Sequence, residues 1–214
     1  MSARPAAGGG RWVDVAPERL PRWLENFAAR HGGYTAGGLT ITGADGATAE
    51  LFPPPGADGI DDLAGLAAAA GEPRRLGLLL ARKGAVAVGV AEGIRLVASK
   101  VDTHYVQGRT AAGGWSQQRF ARRRDNQAKA AAADGASIVG RLLLPEVKTL
   151  RAVVTGGDRA AVEAILTAPV LAPVLALRDE RFLDVPEPRR AVLEEAVALA
   201  RTIRVLVRDP APGP

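Results

Sequence analysis

The chain contains no cysteine, which excludes a disulfide framework and a thiolate zinc centre. Aromatic residues make up only 4% of its 214 positions, so a core must be built from alanine, valine and leucine within the 47% that is hydrophobic. Histidine occurs twice, at His31 and His104, and no tight acidic cluster accompanies either. No metal site and no cofactor are therefore expected. Apolar runs are too short to span a bilayer, which argues against a membrane partner. Met1–Gly10 lacks the apolar stretch of a signal peptide and reads as a flexible tail, so a cytoplasmic location is expected.

Charge is present and unevenly spread. The chain carries a formal +5. Between His104 and Lys129 stand six cations (Arg109, Arg119, Arg122, Arg123, Arg124 and Lys129) against the single carboxylate of Asp125. This one segment accounts for the excess of the whole molecule, and the remainder is balanced.

Periodicity divides the chain at about residue 72. After the tail at 1–10, Pro17–Arg30 has Leu20, Trp23, Leu24 and Phe27 at helical spacing, stopped by His31-Gly32-Gly33. Gly38–Thr42 and Thr48–Phe52 read as a hairpin around Asp45-Gly46, and Ile60–Ala70 as a short helix. Residues 11–72 are thus expected to form a small α+β unit. From 73 to 209 the pattern changes, and 210–214 is a tail. Leu76–Ala81, Ala85–Ala91 and Ile94–Lys100 are apolar segments with short turns, an antiparallel meander. Asp102–Gln107 extends it or adds a fourth strand.

A helix is expected from about Ser116 to Ala133, with a second piece through Ile138–Leu144. Leu150–Val154 then reads as a strand and Asp158–Leu166 as a helix. A strand follows at Val174–Leu177 or at Arg181–Val185. Arg189–Arg201 is a helix and Ile203–Val207 a last strand. Strand-helix alternation argues for an α/β (mixed α+β) fold whose mixed sheet is covered by helices.

The chemistry concentrates in Gln107–Gln118. Glycines at 108, 113 and 114 stand among small residues between a strand and a helix, and such a loop is free to adopt backbone angles closed to other residues. Ser116 suits an N-cap and would set Gln117 and Gln118 in the first helical turn. Unpaired N–H groups and a positive dipole end favour a phosphate or a developing oxyanion there. Behind that turn Arg119, Arg122, Arg123, Asn126 and Lys129 recur at three- and four-residue steps, a basic stripe suited to nucleic-acid phosphates. Trp115 can stack on a base or simply pack. Taken singly, a glycine-rich loop usually just turns, and an arginine-rich helix is usually a solvated face. Their contiguity is what favours function.

Two enzyme classes fit poorly. Gly114-Trp115-Ser116 begins like a nucleophile elbow, but Gln118 stands where the elbow needs glycine, and neither histidine has an obvious partner acid. A metal nuclease needs several carboxylates, and Asp102 and Asp125 are scattered. Gly156-Gly157-Asp158, before a helix, suits either an anion or an ordinary turn and cap.

Tyr105–Gln127 resembles the catalytic loop and following helix of the Vms-like release-factor family. These are relatives of the middle domain of archaeal and eukaryotic peptide-release factors, with an actinobacterial branch of peptidyl-tRNA hydrolases. The likeness rests on Gly113-Gly114-Trp115-Ser116-Gln117-Gln118 and on Arg123-Arg124-Asp125-Asn126, with Arg151–Gly157 as the later strand and turn. It spans roughly Arg75 to Asp209. Trp115 interrupts the family's Gly-Gly-Ser-Gln step, which leaves Gln117 and Gln118 both as candidates; Gln117 preserves the Ser-Gln pair.

The resemblance implies a release-factor middle-domain-like (RNase H-like) fold and a catalytic loop of Gly113, Gly114, Ser116, Gln117 and Gln118. Arg109, Trp115, Arg119, Arg122, Arg123, Arg124, Asn126 and Lys129 would then contact RNA. The implied activity is hydrolysis of ribosome-bound peptidyl-tRNA in quality control of stalled ribosomes. The large subunit and its ribosomal RNA would be partners, and no metal would be required. Two other outcomes stay open: a protein that binds RNA or the ribosome without turnover, and a nuclease that trims the tRNA 3′ end.

Overall fold

The computed structural model describes residues 3–82, 84–103 and 116–210; side chains at 3 and 116–125 fall outside that description. The chain forms two compact units, residues 1–73 with 198–214, and residues 74–197.

In the first unit, β1 (Ala3–Pro5) and β2 (Arg11–Val15) lead through a 3-10 turn into α1 (Leu20–His31). Leu20 and Phe27 are buried at the expected spacing, and Gly32, at φ 71°, ends the helix in the left-handed region. The hairpin expected around Gly46 is present as β4 (Thr40–Gly43) and β5 (Thr48–Phe52). An additional strand, β3 (Tyr34–Gly37), precedes it. Helix α2 (Leu63–Gly71) starts later than the apolar pattern implied because the Asp62 carboxylate accepts from Gly65 N–H at 2.7 Å and caps it.

The second unit opens with the expected meander, β6 (Arg75–Arg82), β7 (Ala85–Glu92) and β8 (Arg95–Thr103). Asp102 and Thr103 prolong β8, and residues 104–107 of the expected extension lie outside the described residues. Then come α3 (Ser116–Leu143), β9 (Ala152–Gly157), α4 (Arg159–Leu166), α5 (Ala172–Leu175), β10 (Arg178–Leu183) and α6 (Arg190–Ala200). The sheet order is β10-β9-β6-β7-β8, parallel on the β9 side and antiparallel across the meander. Leu79, Val86, Val88 and Val153 pack under Ile138, Val139 and Leu143 of α3 and Val162 and Ile165 of α4. Strands β6 and β7 are buried along both faces, which is why their sequences are nearly unbroken apolar runs.

Three expectations are corrected. The two helical pieces after Ser116 are one helix, α3. Gly135 does not break it: a Cβ there would lie 2.7 Å from Ile165 Cδ1, so the glycine permits close approach to α4. Val174 and Leu175 belong to the short helix α5, with Pro173 in its first turn; of the two alternatives the strand is the second, lying at Arg178–Leu183 and so beginning and ending earlier than Arg181–Val185. The last strand, β11 (Ile203–Arg208), does not join the second sheet. It is inserted between β2 and β5, giving the order β1-β2-β11-β5-β4-β3, antiparallel throughout. Its alternation explains the placement. Ile203, Val205 and Val207 enter the core of the first unit while Arg204 and Arg208 face away, with Leu206 buried on that second face.

Candidate functional site

Four strands of the second unit finish at one end of their sheet. The register runs across it from Thr103 opposite Ala85, to Ala85 opposite Arg82, to Ala81 opposite Gly157, to Gly156 opposite Leu183. Strand β8 therefore finishes, at Thr103, at the end of the sheet where β6, β9 and β10 also finish. In open sheets of this kind the carboxyl ends of the strands are where ligands collect.

Arg109, Gly113, Gly114 and Trp115 lie outside the described residues, as does His104. Helix α3 begins at Ser116 itself, and Gln117 and Gln118 fall in its first turn. The backbone of Arg119, Arg122, Arg123 and Arg124 is helical; their side chains, with those of Ser116, Gln117 and Gln118, are outside the description. Asn126 and Lys129 are described, and both are exposed.

The helix itself is informative. Its 28 residues span about 42 Å at 1.5 Å per residue. From Asn126 to Ala130 five consecutive residues are exposed, more than one full turn, so among the described residues the helix is exposed all round there. Gly135 is the first buried position among its described residues, with Ile138, Val139 and Leu143 following on the sheet side. Ser116 stands about 28 Å along the axis from Gly135. The half of α3 that carries the arginines is continuous with the packed half, and its exposed middle shows where contact with the sheet ends. Lys129 is exposed and takes part in no ion pair among the described residues.

Other groups at this end of the sheet were not singled out by sequence. Arg82, closing β6, reaches Asp184 at 3.5 Å just after β10. Arg159, opening α4, lies over the Phe182 ring at 4.2 Å. The signal that could have found them is position alone, since both sit at or just beyond a strand's carboxyl end. Gly156-Gly157-Asp158 resolves into a turn and cap. Gly157 has φ 99° and a Cβ there would strike Ala81 O, while Asp158 Oδ1 accepts from Ala160 N–H at 2.9 Å and fills the start of α4 with its own carboxylate. His31 acquires the acid partner that the sequence did not suggest: Asp45 Oδ2 lies 2.8 Å from its Nδ1. That pair belongs to the first unit, beside Phe27, and Ser116 to the second. Among the described residues no group of three or more His, Asp or Glu could hold a metal ion, and no helix is long and apolar enough to cross a membrane.

Residues 74–206 match the model of a family described as the Actinobacteria/chloroflexi VLRF1 release factor. Among solved structures the chain is similar to an archaeal translation termination factor, aRF1. The identity is 19% over 59% of this chain and 34% of that one, with a TM-score of 0.45. A second, described only as an archaeal protein, gives 18% identity over 59% and 35% of the respective chains, with a TM-score of 0.40. The chain thus spans about a third of the length of either. No curated protein matches it.

Proposed function

We propose, because this chain belongs to the Actinobacteria/chloroflexi VLRF1 release factor family, that it hydrolyses the ester of peptidyl-tRNA held on the ribosome. The observation that supports this most directly is α3: a long helix, exposed around a full turn at Asn126–Ala130 among the described residues, with the glycine-glutamine loop before it in sequence. Such an arm suits a narrow, RNA-lined site that the body of the protein does not enter.

In this reading the loop Gly113–Gln118 reaches the ester between the peptide and the terminal adenosine. A neutral amide is a poor base, so Gln117 acts by orienting the attacking water and hydrogen-bonding the charge that develops on the carbonyl oxygen. Gln118 is the alternative bearer of that role. Gly113 and Gly114 allow the backbone to approach the ester closely, and Ser116 opens the helix. Arg109, Arg119, Arg122, Arg123, Arg124, Asn126 and Lys129 hold phosphates of tRNA or of large-subunit RNA, and Trp115 stacks on a base. The proposed setting is a stalled ribosome in the cytoplasm. The chemistry asks for no metal.

The test is release of peptide from purified ribosome-bound peptidyl-tRNA, with the RNA resolved on a gel that separates an intact CCA end from a trimmed one. Release with intact tRNA, reduced at least about a hundredfold in Gln117→Ala while ribosome binding persists, is expected for a group that orients the transition state. Shortened tRNA would replace the hydrolase with a nuclease. Salt-sensitive binding without release would leave a ribosome-binding protein.

A further inference from the structure

The core of the first unit lies against one face of its antiparallel sheet; on the other face Leu206 is also buried, and Trp12, Phe52 and Arg204 are half-buried. Val13, Val15, Ile41, Leu51, Ile203, Val205 and Val207 point to α1 and α2. Strand alternation sends Trp12, Phe52, Arg204 and Arg208 to the opposite face, where the first unit's core does not extend. Arg204 is paired with Phe52 on one side and Asp14 on the other; Leu206 is paired with Trp12 and Glu50.

In an aromatic-poor chain, this second face carries an indole and a phenyl ring side by side, half-buried, with centroids 5.3 Å apart and planes tilted by 58°. The Arg204 guanidinium lies 4.3 Å from the Trp12 ring centroid. Charges on this face are not matched. Asp14 is taken by Arg4 at 2.9 Å. Arg204 and Arg208 form no ion pair among the described residues, and Glu50 is the one remaining carboxylate on the paired strands beside them. Arg204 Nε is buried without a hydrogen-bond partner, so the terminal N–H groups of that guanidinium are the donors left for a ligand. The two arginines stand about 13 Å apart along β11.

We propose that this face is a second RNA-binding surface, which takes a single-stranded stretch with bases on Trp12 and Phe52 and phosphates on Arg204 and Arg208. Rings on a flat sheet give sequence-tolerant stacking, and unpaired arginines beside them supply charge complementary to the backbone. The surface belongs to the first unit and is independent of hydrolysis at the α3 loop.

The experiment uses the full chain with Arg119, Arg122 and Arg123 changed to Gln, which removes the α3 phosphate contacts. An oligouridine containing 4-thiouridine is cross-linked to it and the modified peptides are identified by mass spectrometry; affinity is read separately by fluorescence anisotropy. Cross-links at Trp12 or Phe52 are expected, with affinity about tenfold or more weaker in Trp12→Leu and in Arg204→Gln/Arg208→Gln, the loss of one stacked base or its phosphate contacts. Arg208→Gln alone, at an exposed position, gives a smaller loss in the same direction if the double variant does not fold. Cross-links confined to other peptides, or affinity unchanged by these substitutions, would overturn the surface. So would capture of a ribosomal protein on this face with no RNA. Peptide release is measured in the same preparations with Arg119, Arg122 and Arg123 restored, so its absence counts against the hydrolase and not against this face.

Discussion

At the residue scale, two glycines of one helix predict opposite responses to the same substitution. Alanine is favoured over glycine within a helix by about 0.5–1 kcal/mol. At Gly140 an added Cβ would meet nothing nearer than 3.7 Å, so Gly140→Ala is expected to raise stability by about that amount. At Gly135 the Cβ would lie 2.7 Å from Ile165 Cδ1 and 2.9 Å from Cγ1, and Cγ1 is not a free end that can swing aside. Overpacking typically costs about 1–3 kcal/mol, which outweighs the helical gain. Gly135→Ala should therefore lower the melting temperature, and Ile165→Val in the same chain should recover part of the loss. Additive effects of the two would show that the contact does not govern the response. Asp45 gives a pH-dependent case. Its hydrogen bond from His31, then that from Ala47 N–H, holds its carboxyl below the ordinary 3.8. A depressed carboxylate stabilises the fold above the unfolded value and loses that contribution as pH falls through the folded one. Asp45→Asn should therefore melt earlier than wild type at neutral pH, and the two should converge in acid, once the pH has fallen through the lowered value of the folded carboxyl. A difference that persists in acid would locate the effect elsewhere than in the charge.

At the element scale, α3 is the feature on which the proposed function depends, and its exposed middle allows it to be tested without disturbing the core. Proline within a helix removes one hydrogen bond, clashes with the preceding turn and costs about 3 kcal/mol. Residues 126–130 are all exposed, outside the packed part of the helix. Ala130→Pro is thus expected to leave the melting of the second unit nearly unchanged while peptide release falls to background. Ala130→Gln, which keeps the helix, should retain both. Unchanged release in the proline variant would mean that the arm need not be continuous. Much of this element was legible in sequence. The three- and four-residue spacing of the arginines marked a helix, and the step from glycine-rich loop to basic run marked its start. Its continuity past Gly135 was not legible, because a helical glycine that permits close packing and one that ends a helix look alike until the opposing residue, here Ile165, is known. The site residues in 104–125 rest on sequence for the same reason that they attracted notice: small, polar and charged residues leave no burial pattern from which to read a partner. Arg82 and Arg159 were missed because a cation at a strand end has no periodicity.

At the scale of the whole molecule, the chain returns to its beginning. Strand β11 lies at the centre of the first unit's sheet, and Ile203, Val205 and Val207 supply part of its core, so residues 11–72 are not a self-contained domain. The sequence boundary at 72 marked the change in strand pattern, but the membership of the last strand lies in a pairing across nearly 200 residues, which local periodicity cannot report. The arginines at 204 and 208 among Ile203, Val205, Leu206 and Val207 were the available signal, since β6 and β7 of the second unit carry charge only at their ends. The same placement bears on the family match, whose residues 74–206 include most of β11 but neither β2 nor β5, the strands that flank it. A chain ending at Arg201 should therefore lose cooperative melting of the first unit, because β2 and β5 would be left with unpaired edges and an open core. The second unit keeps its complete sheet and its own core in that truncation, and its amides should remain protected from hydrogen exchange. Loss of protection in both units at once would show that they fold as one cooperative body, and the proposed RNA-binding sheet and the arm-bearing unit would then have no independent parts to act through.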